Sequence, residues 1–350
     1  MTKYIEGILR FPMNAQRSSF FGALSSILLY REAYTEDTPY YCGKNKRFCV
    51  HCGKCKATTM EKHHLNIYQY LVTITGCAYL WEDKAVGDSF NKKYNAEEFS
   101  EKALDRLSLA LQAYGYRYEE FNKEIEEKII FNKIQQSIDN NLPVLIKLGG
   151  GDIWAVITGY DKEKMLPYLM KMNHAPKVNR EWYEKLRNIV FITDKCEANI
   201  SLVESLNHMH QHITTQNRVK LEQKIYRMLE SEQDGRKLGM WLNKMNGLTI
   251  ENRWHASECY RNMLVPVIEK RECQELLQRA ADLHLHFHDQ AWKVWGLLGV
   301  TPRTGYNLPK NVDELLSKAS TRSELKVLFE ELFSIDREVS YLLKECIEKI

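Results

Sequence analysis

The stretch LPVLIKLGGGDIWAVITGYD, residues 142–161, decides the fold of the first half of this sequence. Two apolar runs flank the four residues GGGD, and glycine and aspartate are typical of a turn between antiparallel strands. The stretch therefore predicts a β-hairpin. A further run, RNIVFITDK (residues 187–195), is rich in β-branched residues and predicts one more strand.

The segments before this hairpin predict helices and a strand. RSSFFGALSSILLYR (residues 17–31) begins with serines and continues with apolar residues at helical spacing, which predicts a buried helix with a serine N-cap. LNIYQYLVTITGCAYLWED (residues 65–83) mixes β-branched and aromatic residues. It predicts a helix that runs into a strand near Val72–Trp81.

The composition changes after Asn199. From Leu202 to Ile350 the apolar residues recur with a period near 3.6, and no strand pattern is present, so this part is predicted to be helical. Pro266 is expected to kink or break the longest helix. We therefore expect an α+β domain over residues 1–200 and an all-helical domain over residues 201–350.

Charge and composition exclude several classes of partner. The 350 residues contain 49 Lys and Arg against 46 Asp and Glu, a net charge of +3, which gives no basic surplus for nucleic acid or an anionic membrane. The first residues, MTKYIEGILRFPMN, contain charges and a proline and are unlike a signal peptide. No stretch reaches about 18 uninterrupted apolar residues. A cytoplasmic protein is expected.

Four of the nine cysteines fall within fourteen residues, which contain the motif FCVHCGKC (residues 48–55). Soft thiolates select zinc or iron–sulfur clusters, and four of them on a short loop can close a tetrahedron. Zinc is the preferred interpretation, and such a closed site would be structural because no position remains for water. An iron–sulfur cluster, a redox-sensing loop and a metal-free loop remain alternatives. The predicted ligands are Cys42, Cys49, Cys52 and Cys55, and His51, His63 or His64 could replace one thiolate.

Two histidines later in the chain form a second candidate metal pair. His284 and His288 are four residues apart in a helical pattern, so they share a face and could chelate a metal together with His255 or Glu258. An ordinary helix surface with two solvated imidazoles is the preferred interpretation.

Several pieces of the first half resemble a known fold. SSFFGALSSILLY (residues 18–30) resembles an opening helix whose catalytic cysteine stands four residues before an Ala-Leu pair. PVLIKL and IWAVITGYD resemble the strand pair that carries the catalytic histidine, written there like HFVVVTGYD, and REWYEKLRNIVFITDK resembles the closing strand. These pieces resemble the papain-like cysteine peptidase fold, in particular the bacteriocin-leader peptidases and the family of the butirosin-biosynthesis H protein.

The resemblance implies that both catalytic positions are replaced. Counting back from Ala23-Leu24 gives Ser19 at the nucleophile position, and counting back from Thr158 gives Ile153 at the histidine position. Serine depends on a base even more than cysteine does, and isoleucine cannot act as one. Ser19 and the neighbouring carboxylate Asp152 remain as candidate catalytic residues, although Ser19 is also explained as a helix cap. A buried thiol is the preferred interpretation of Cys77, another potential nucleophile.

These observations lead to one preferred function and two alternatives. The preferred one is a catalytically degenerate papain-like-fold protein that binds a small-molecule or peptide ligand. It would be accessory to peptide or specialised-metabolite biosynthesis, with a structural zinc loop, and could also bind a carrier or partner protein. The first alternative is an acyltransferase or amide hydrolase that uses Ser19 or a thiol. The second is an iron–sulfur or redox- and metal-sensing protein.

Overall fold

The structure is a computed structural model. It describes the following parts of the chain: residues 2–10, 18–43, 45–50, 57–81, 106–149, 153–171, 174–197, 200–215, 218–304 and 307–350. The chain folds into two compact units. The first comprises Met1–Leu71 and Asn95–Ser201, and the second comprises Val72–Tyr94 and Leu202–Ile350.

The first unit is an antiparallel sheet with helices. Its described helices are α1 (Ser19–Arg31), the greater part of α2 (Thr59–Ile74), α3 (Leu107–Ala113) and α4 (Glu127–Asp139). Its described strands are β1 (Thr2–Tyr4), β2 (Tyr40–Cys42), β3 (Arg47–Cys49), β4 (Tyr116–Asn122), β5 (Val144–Leu148), β6 (Ile153–Asp161), β7 (Leu166–Met170), β8 (Lys177–Val178) and β9 (Leu186–Lys195). Strands β4-β9-β5-β6-β7-β8 follow one another in the large sheet, and β1 pairs with β6.

The hairpin predicted from residues 142–161 is confirmed. Strands β5 and β6 pair antiparallel, with Val144 opposite Ile157 and Leu148 opposite Ile153. Strand β9 pairs antiparallel with the other edge of β5, which confirms the strand predicted at residues 187–195. The first half is therefore mixed α/β around an antiparallel sheet, as its alternating and apolar runs indicated.

The sheet is covered on both faces. On one face, Ile146 and Ala155 join a core that includes Ile134 and Ile138 of α4. On the other face, Trp154 packs edge-on against Phe20 of α1, with 4.9 Å between ring centroids. Since successive residues of a strand point to opposite faces, the largely apolar sequences of β5 and β6 fit a sheet that is covered by helices on both sides.

The second unit is helical after residue 201. It contains the end of α2, and then α5 (Leu202–Thr215), α6 (Arg218–Ser231), α7 (Gly235–Cys259), α8 (Arg271–Leu297), α9 (Val312–Ser317) and α10 (Ala319–Lys349). A π-turn at Tyr260–Leu264 and a 3₁₀ turn at Val265–Val267 separate α7 from α8, which confirms the interruption expected at Pro266. Within the described part of the chain, every helix is too short or too polar to cross a bilayer.

The strand predicted near Val72–Trp81 is wrong. Helix α2 continues to Ile74, Gly76 has a left-handed backbone (φ +75°), and Cys77–Tyr79 form a 3₁₀ turn. A Cβ at Gly76 would lie 2.2 Å from Cγ of His212, so both the backbone angle and the close packing require glycine. The β-branched and aromatic residues here are buried in a helical unit instead of a sheet.

A buried ion pair holds this turn within the second unit. Arg253 and Asp336 are both fully buried, and the guanidinium donates to both carboxylate oxygens at 2.9 and 2.7 Å. Asp336 also accepts from the indole of Trp81 at 2.8 Å, while Arg253 donates to the carbonyls of Ala78 and Tyr79. A buried pair with additional partners is costly to break from one side, by about 3–5 kcal/mol. The turn is thus fixed by tertiary hydrogen bonds and not by a strand ladder.

Candidate functional site

Ser19, the residue at the nucleophile position of the resemblance, lies in the first turn of α1. Ser18 is the N-cap, whose hydroxyl accepts from the amide of Phe21, so the predicted serine cap is confirmed one residue earlier. Ser19 is 5% exposed, and its Oγ accepts a hydrogen bond from the amide of Trp154 at 3.1 Å. The hydroxyl therefore ties the start of α1 to the start of β6.

The groups around this hydroxyl decide what Ser19 can do. Among the described residues, the Trp154 amide is its one hydrogen-bond partner, and no imidazole or carboxylate is bonded to it. Asp152, the second candidate, lies outside the described residues. An amide N–H is a donor and cannot remove a proton from serine. The described contacts give Ser19 a structural role.

Lys147 is a basic side chain within the PVLIKL strand that was not among the candidate site residues predicted from the sequence. It lies in β5, it is only 5% exposed, and it stands directly opposite Trp154 in the ladder. Directly opposed residues share a face of the sheet, so Lys147 lies on the face that α1 covers. The sequence contains one sign of this site, which is a lysine in the middle of the apolar run VLIKL. Such a lysine is conspicuous because Lys is almost never fully buried without a partner.

A serine and a histidine meet elsewhere on α1. The Nε2 atom of His64 lies 3.0 Å from Oγ of Ser26 and 3.1 Å from the carbonyl of Gly22, and all three residues are fully buried. Since a carbonyl only accepts, Nε2 carries the proton and has no lone pair for the serine hydroxyl. Burial lowers the pKa of His64 to about 4, against a weaker opposing effect of the Gly22 hydrogen bond. The Ser26–His64 contact is thus a hydrogen bond in which a neutral imidazole is the donor, so His64 cannot take the serine proton.

Two of the four predicted metal ligands lie on the β2–β3 hairpin. Tyr40 stands opposite Cys49, and Cys42 opposite Arg47, so both cysteines are on one face of the hairpin in diagonal positions. Cys42 and Cys49 are buried against Tyr40, at 4% and 8% exposure. Cys52 and Cys55 lie outside the described residues. In the described part of the chain no three His, Cys, Asp or Glu residues form a metal-binding group.

The histidines considered as substitute ligands are engaged elsewhere. His63 donates from Nε2 to the carbonyl of Thr38 at 2.8 Å and stacks on Tyr34. Burial lowers its pKa, although the hydrogen bond to Thr38 and the charge of Glu36 oppose the shift. His64 is occupied by α1, and His51 lies outside the described residues.

The second candidate metal pair does not form. His284 is fully buried, with Nε2 3.3 Å from Oδ1 of Asp336 and its ring stacked on Tyr260. His288 accepts the indole N–H of Trp292 at its own Nε2, at 3.0 Å. The expectation of two solvated imidazoles is therefore also wrong for His284. The helical spacing of residues around His284 could not show that Asp336 of α10 would lie beside its ring. Cys77, the other candidate nucleophile, is fully buried.

A scan against protein-family models, a search of curated proteins and a search of solved structures each found no match.

Proposed function

We propose that this chain is a catalytically degenerate protein of the papain-like fold that binds a small-molecule or peptide ligand. It would act as an accessory protein in peptide or specialised-metabolite biosynthesis. The resemblance of residues 18–30 and 143–161 to the family's helix and strand pair supports the proposal. The packing of α1 on β6 through Phe20 and Trp154 is consistent with it.

The observation that carries the loss of catalysis is the hydrogen bond from Trp154 to Ser19. In a working nucleophile the hydroxyl donates its proton to a base, and among the described residues the one partner of the Ser19 hydroxyl is the Trp154 amide, which is itself a donor. Ile153, at the position of the family's histidine, has no group that titrates. Ser19 would thus have a structural role at the position where the family has its catalytic cysteine.

The same proposal assigns a structural zinc ion to Cys42, Cys49, Cys52 and Cys55. Cys42 and Cys49 fit this assignment because they are buried on one face of the hairpin, at a diagonal spacing from which two thiolates can converge. A hairpin with three residues in each strand is marginal without such support. Four thiolates would leave the metal no open position, so its contribution would be to stability.

The second candidate function is an acyltransferase or amide hydrolase in which Ser19 is the nucleophile and Lys147 the base. Its support is the buried Lys147 on the face of the sheet that α1 covers. Lysine side chains act as general bases in some enzymes. Lys147 would then be the base that the resemblance does not supply.

Replacement of Ser19 by alanine separates a structural serine from a catalytic one. Ser19→Ala removes the acceptor of the Trp154 amide and is expected to lower the free energy of unfolding by about 1 kcal/mol. Ser25→Ala is the matched control on the same helix, since its buried hydroxyl has no hydrogen-bond partner among the described residues. That change is expected to be neutral or stabilising. Urea unfolding followed by circular dichroism measures both.

The proposal would be contradicted if Ser25→Ala were the less stable of the two variants and Ser19→Ala the more stable. Catalytic side chains are held in place at a cost in stability, so removing a nucleophile commonly stabilises the fold. If Ser19→Ala were as stable as the wild type or more stable, while Ser25→Ala lost stability, the second candidate function would be favoured.

A further inference from the structure

A cleft of about 450 Å³ lies at the edge of the large sheet. Its walls come from the end of β5, from β7 and β8, and from the segment that leads into β9. We call it the basic cleft, and its lining includes Leu148, Leu169, Lys171, His174, Lys177 and Lys185. Its volume is within the range of sites for small organic ligands, about 300–1,000 Å³.

The basic cleft is separate from Ser19. Leu148 and Leu169 belong to the core that includes α4 residues, whereas Trp154, which contacts Ser19, packs against α1 on the opposite face of the sheet. Leu148 and Trp154 are therefore on different faces. A ligand in the basic cleft would not depend on whether Ser19 reacts, so this inference goes beyond the proposed function.

The cationic groups of the basic cleft are largely uncompensated. Lys171 and Lys177 have no ion-pair partner among the described residues, and Lys185 is paired with Glu181. Arg187 lies beside the cleft residue Gly149. A Cβ atom placed on Gly149 would be 2.9 Å from Nε of Arg187. Within the described residues Arg187 also has no ion-pair partner. Such a concentration of like charge attracts anions.

The floor of the basic cleft is apolar. Leu148 and Leu169 are 4% and 2% exposed, and Ala175 and Val178 continue the apolar lining. A bare inorganic anion would gain nothing from this surface. An apolar floor with a few positive groups at its rim is the composition expected of a site for an amphipathic anion.

We infer that the basic cleft binds a small organic phosphate, with its phosphoryl oxygens at Lys171 and Lys177 and an apolar part over Leu148 and Leu169. Lysine and arginine make charge-assisted hydrogen bonds to phosphate, and each is stronger than a neutral hydrogen bond. A phosphate monoester carries close to two negative charges above pH 7. The pair of unpartnered lysines matches that charge.

The test is calorimetric titration of the full chain at pH 8 with phenyl phosphate, inorganic phosphate and benzyl alcohol. Phenyl phosphate is expected to bind saturably and about tenfold tighter than inorganic phosphate, because the ring covers apolar surface. Benzyl alcohol is expected not to bind. Absence of saturable binding by phenyl phosphate would overturn the inference, and so would equal affinity for inorganic phosphate, which would indicate a simple anion site.

A matched pair of charge-reversal variants locates the binding. Lys171→Glu with Lys177→Glu is expected to weaken phenyl phosphate binding at least tenfold. Lys128→Glu with Lys220→Glu changes the net charge equally at two exposed positions outside the cleft, and is expected to leave binding within about twofold. Equal losses in both double variants would overturn the assignment. Circular dichroism of each variant verifies folding, and single Lys171→Gln and Lys177→Gln variants replace the pair if it does not fold.

Discussion

Buried polar residues on α1 illustrate how surroundings decide the chemistry of a side chain. Ser19, Ser25 and Ser26 are all buried on the same helix, yet they differ in what they contact. The hydroxyl of Ser19 accepts from Trp154, that of Ser26 lies beside His64, and that of Ser25 has no hydrogen-bond partner among the described residues. A serine next to a histidine is thus not sufficient for nucleophilic catalysis, since the proton on Nε2 already points to a carbonyl.

The pKa of His64 predicts how stability changes with pH. Its pKa is about 4 in the fold and 6.5 ordinarily, so below pH 6.5 the unfolded chain binds a proton that the folded chain does not. Stability contributed by neutral His64 is therefore complete above pH 6.5 and is lost as the pH falls towards 4. Between pH 7 and 4.5 this loss is expected to be about 2–3 kcal/mol.

Urea unfolding of the wild type and of His64→Gln at pH 7 and pH 4.5 measures this effect. The difference in unfolding free energy between the two pH values should be smaller in His64→Gln by about 2–3 kcal/mol. Ser25→Ala, which removes a buried hydroxyl and no titratable group, is the control and should keep the pH dependence of the wild type. An unchanged pH dependence in His64→Gln would show that His64 is not the buried neutral group described above.

At the scale of elements, the β2–β3 hairpin has a very small core. Its strands have three residues each, and its core consists of Tyr40, Cys42 and Cys49. Such a small cluster buries too little apolar surface to hold a hairpin alone. The zinc ion proposed above would add to the stability of this hairpin.

Elemental analysis of anaerobically purified protein tests the zinc assignment. The wild type is expected to contain about one zinc per chain, colourless, and Cys49→Ser should lose most of it. Cys196→Ser is the control, because Cys196 is a partly buried thiol outside the hairpin. Iron with sulfide and a brown colour would instead indicate a cluster, and zinc retained in Cys49→Ser would place the metal elsewhere.

Local patterns predicted some elements and failed at others for an identifiable reason. The hairpin of β5 and β6 was predictable because strand residues and turn residues follow one another within twenty positions. The segment 72–81 contains similar residues but is held by Arg253 and Asp336, which lie far away in the sequence. A local pattern contains no information about those partners, so a propensity for strand gave the wrong structure there.

At the scale of the whole molecule, the sequence indicated the order of an α+β part followed by a helical part. The candidate site was less predictable. Ser19 was found through the resemblance, but the contact of its hydroxyl with Trp154 joins residues 135 positions apart. The basic cleft could not be predicted from the sequence, because Lys171 and Lys177 belong to no motif. The pairing of β7 with β8 brings them into one cleft.

We propose that Ser19 is not catalytic, and reaction with a fluorophosphonate probe tests this proposal most directly. Wild type, Ser19→Ala and Lys147→Met are incubated with the probe and analysed by peptide mass spectrometry, beside an active serine hydrolase. Because no base is bonded to Oγ of Ser19 among the described residues, we expect no adduct at Ser19 in any of the three proteins. An adduct at Ser19 in the wild type that is lost in Ser19→Ala and slowed in Lys147→Met would contradict the claim and identify a serine–lysine hydrolase.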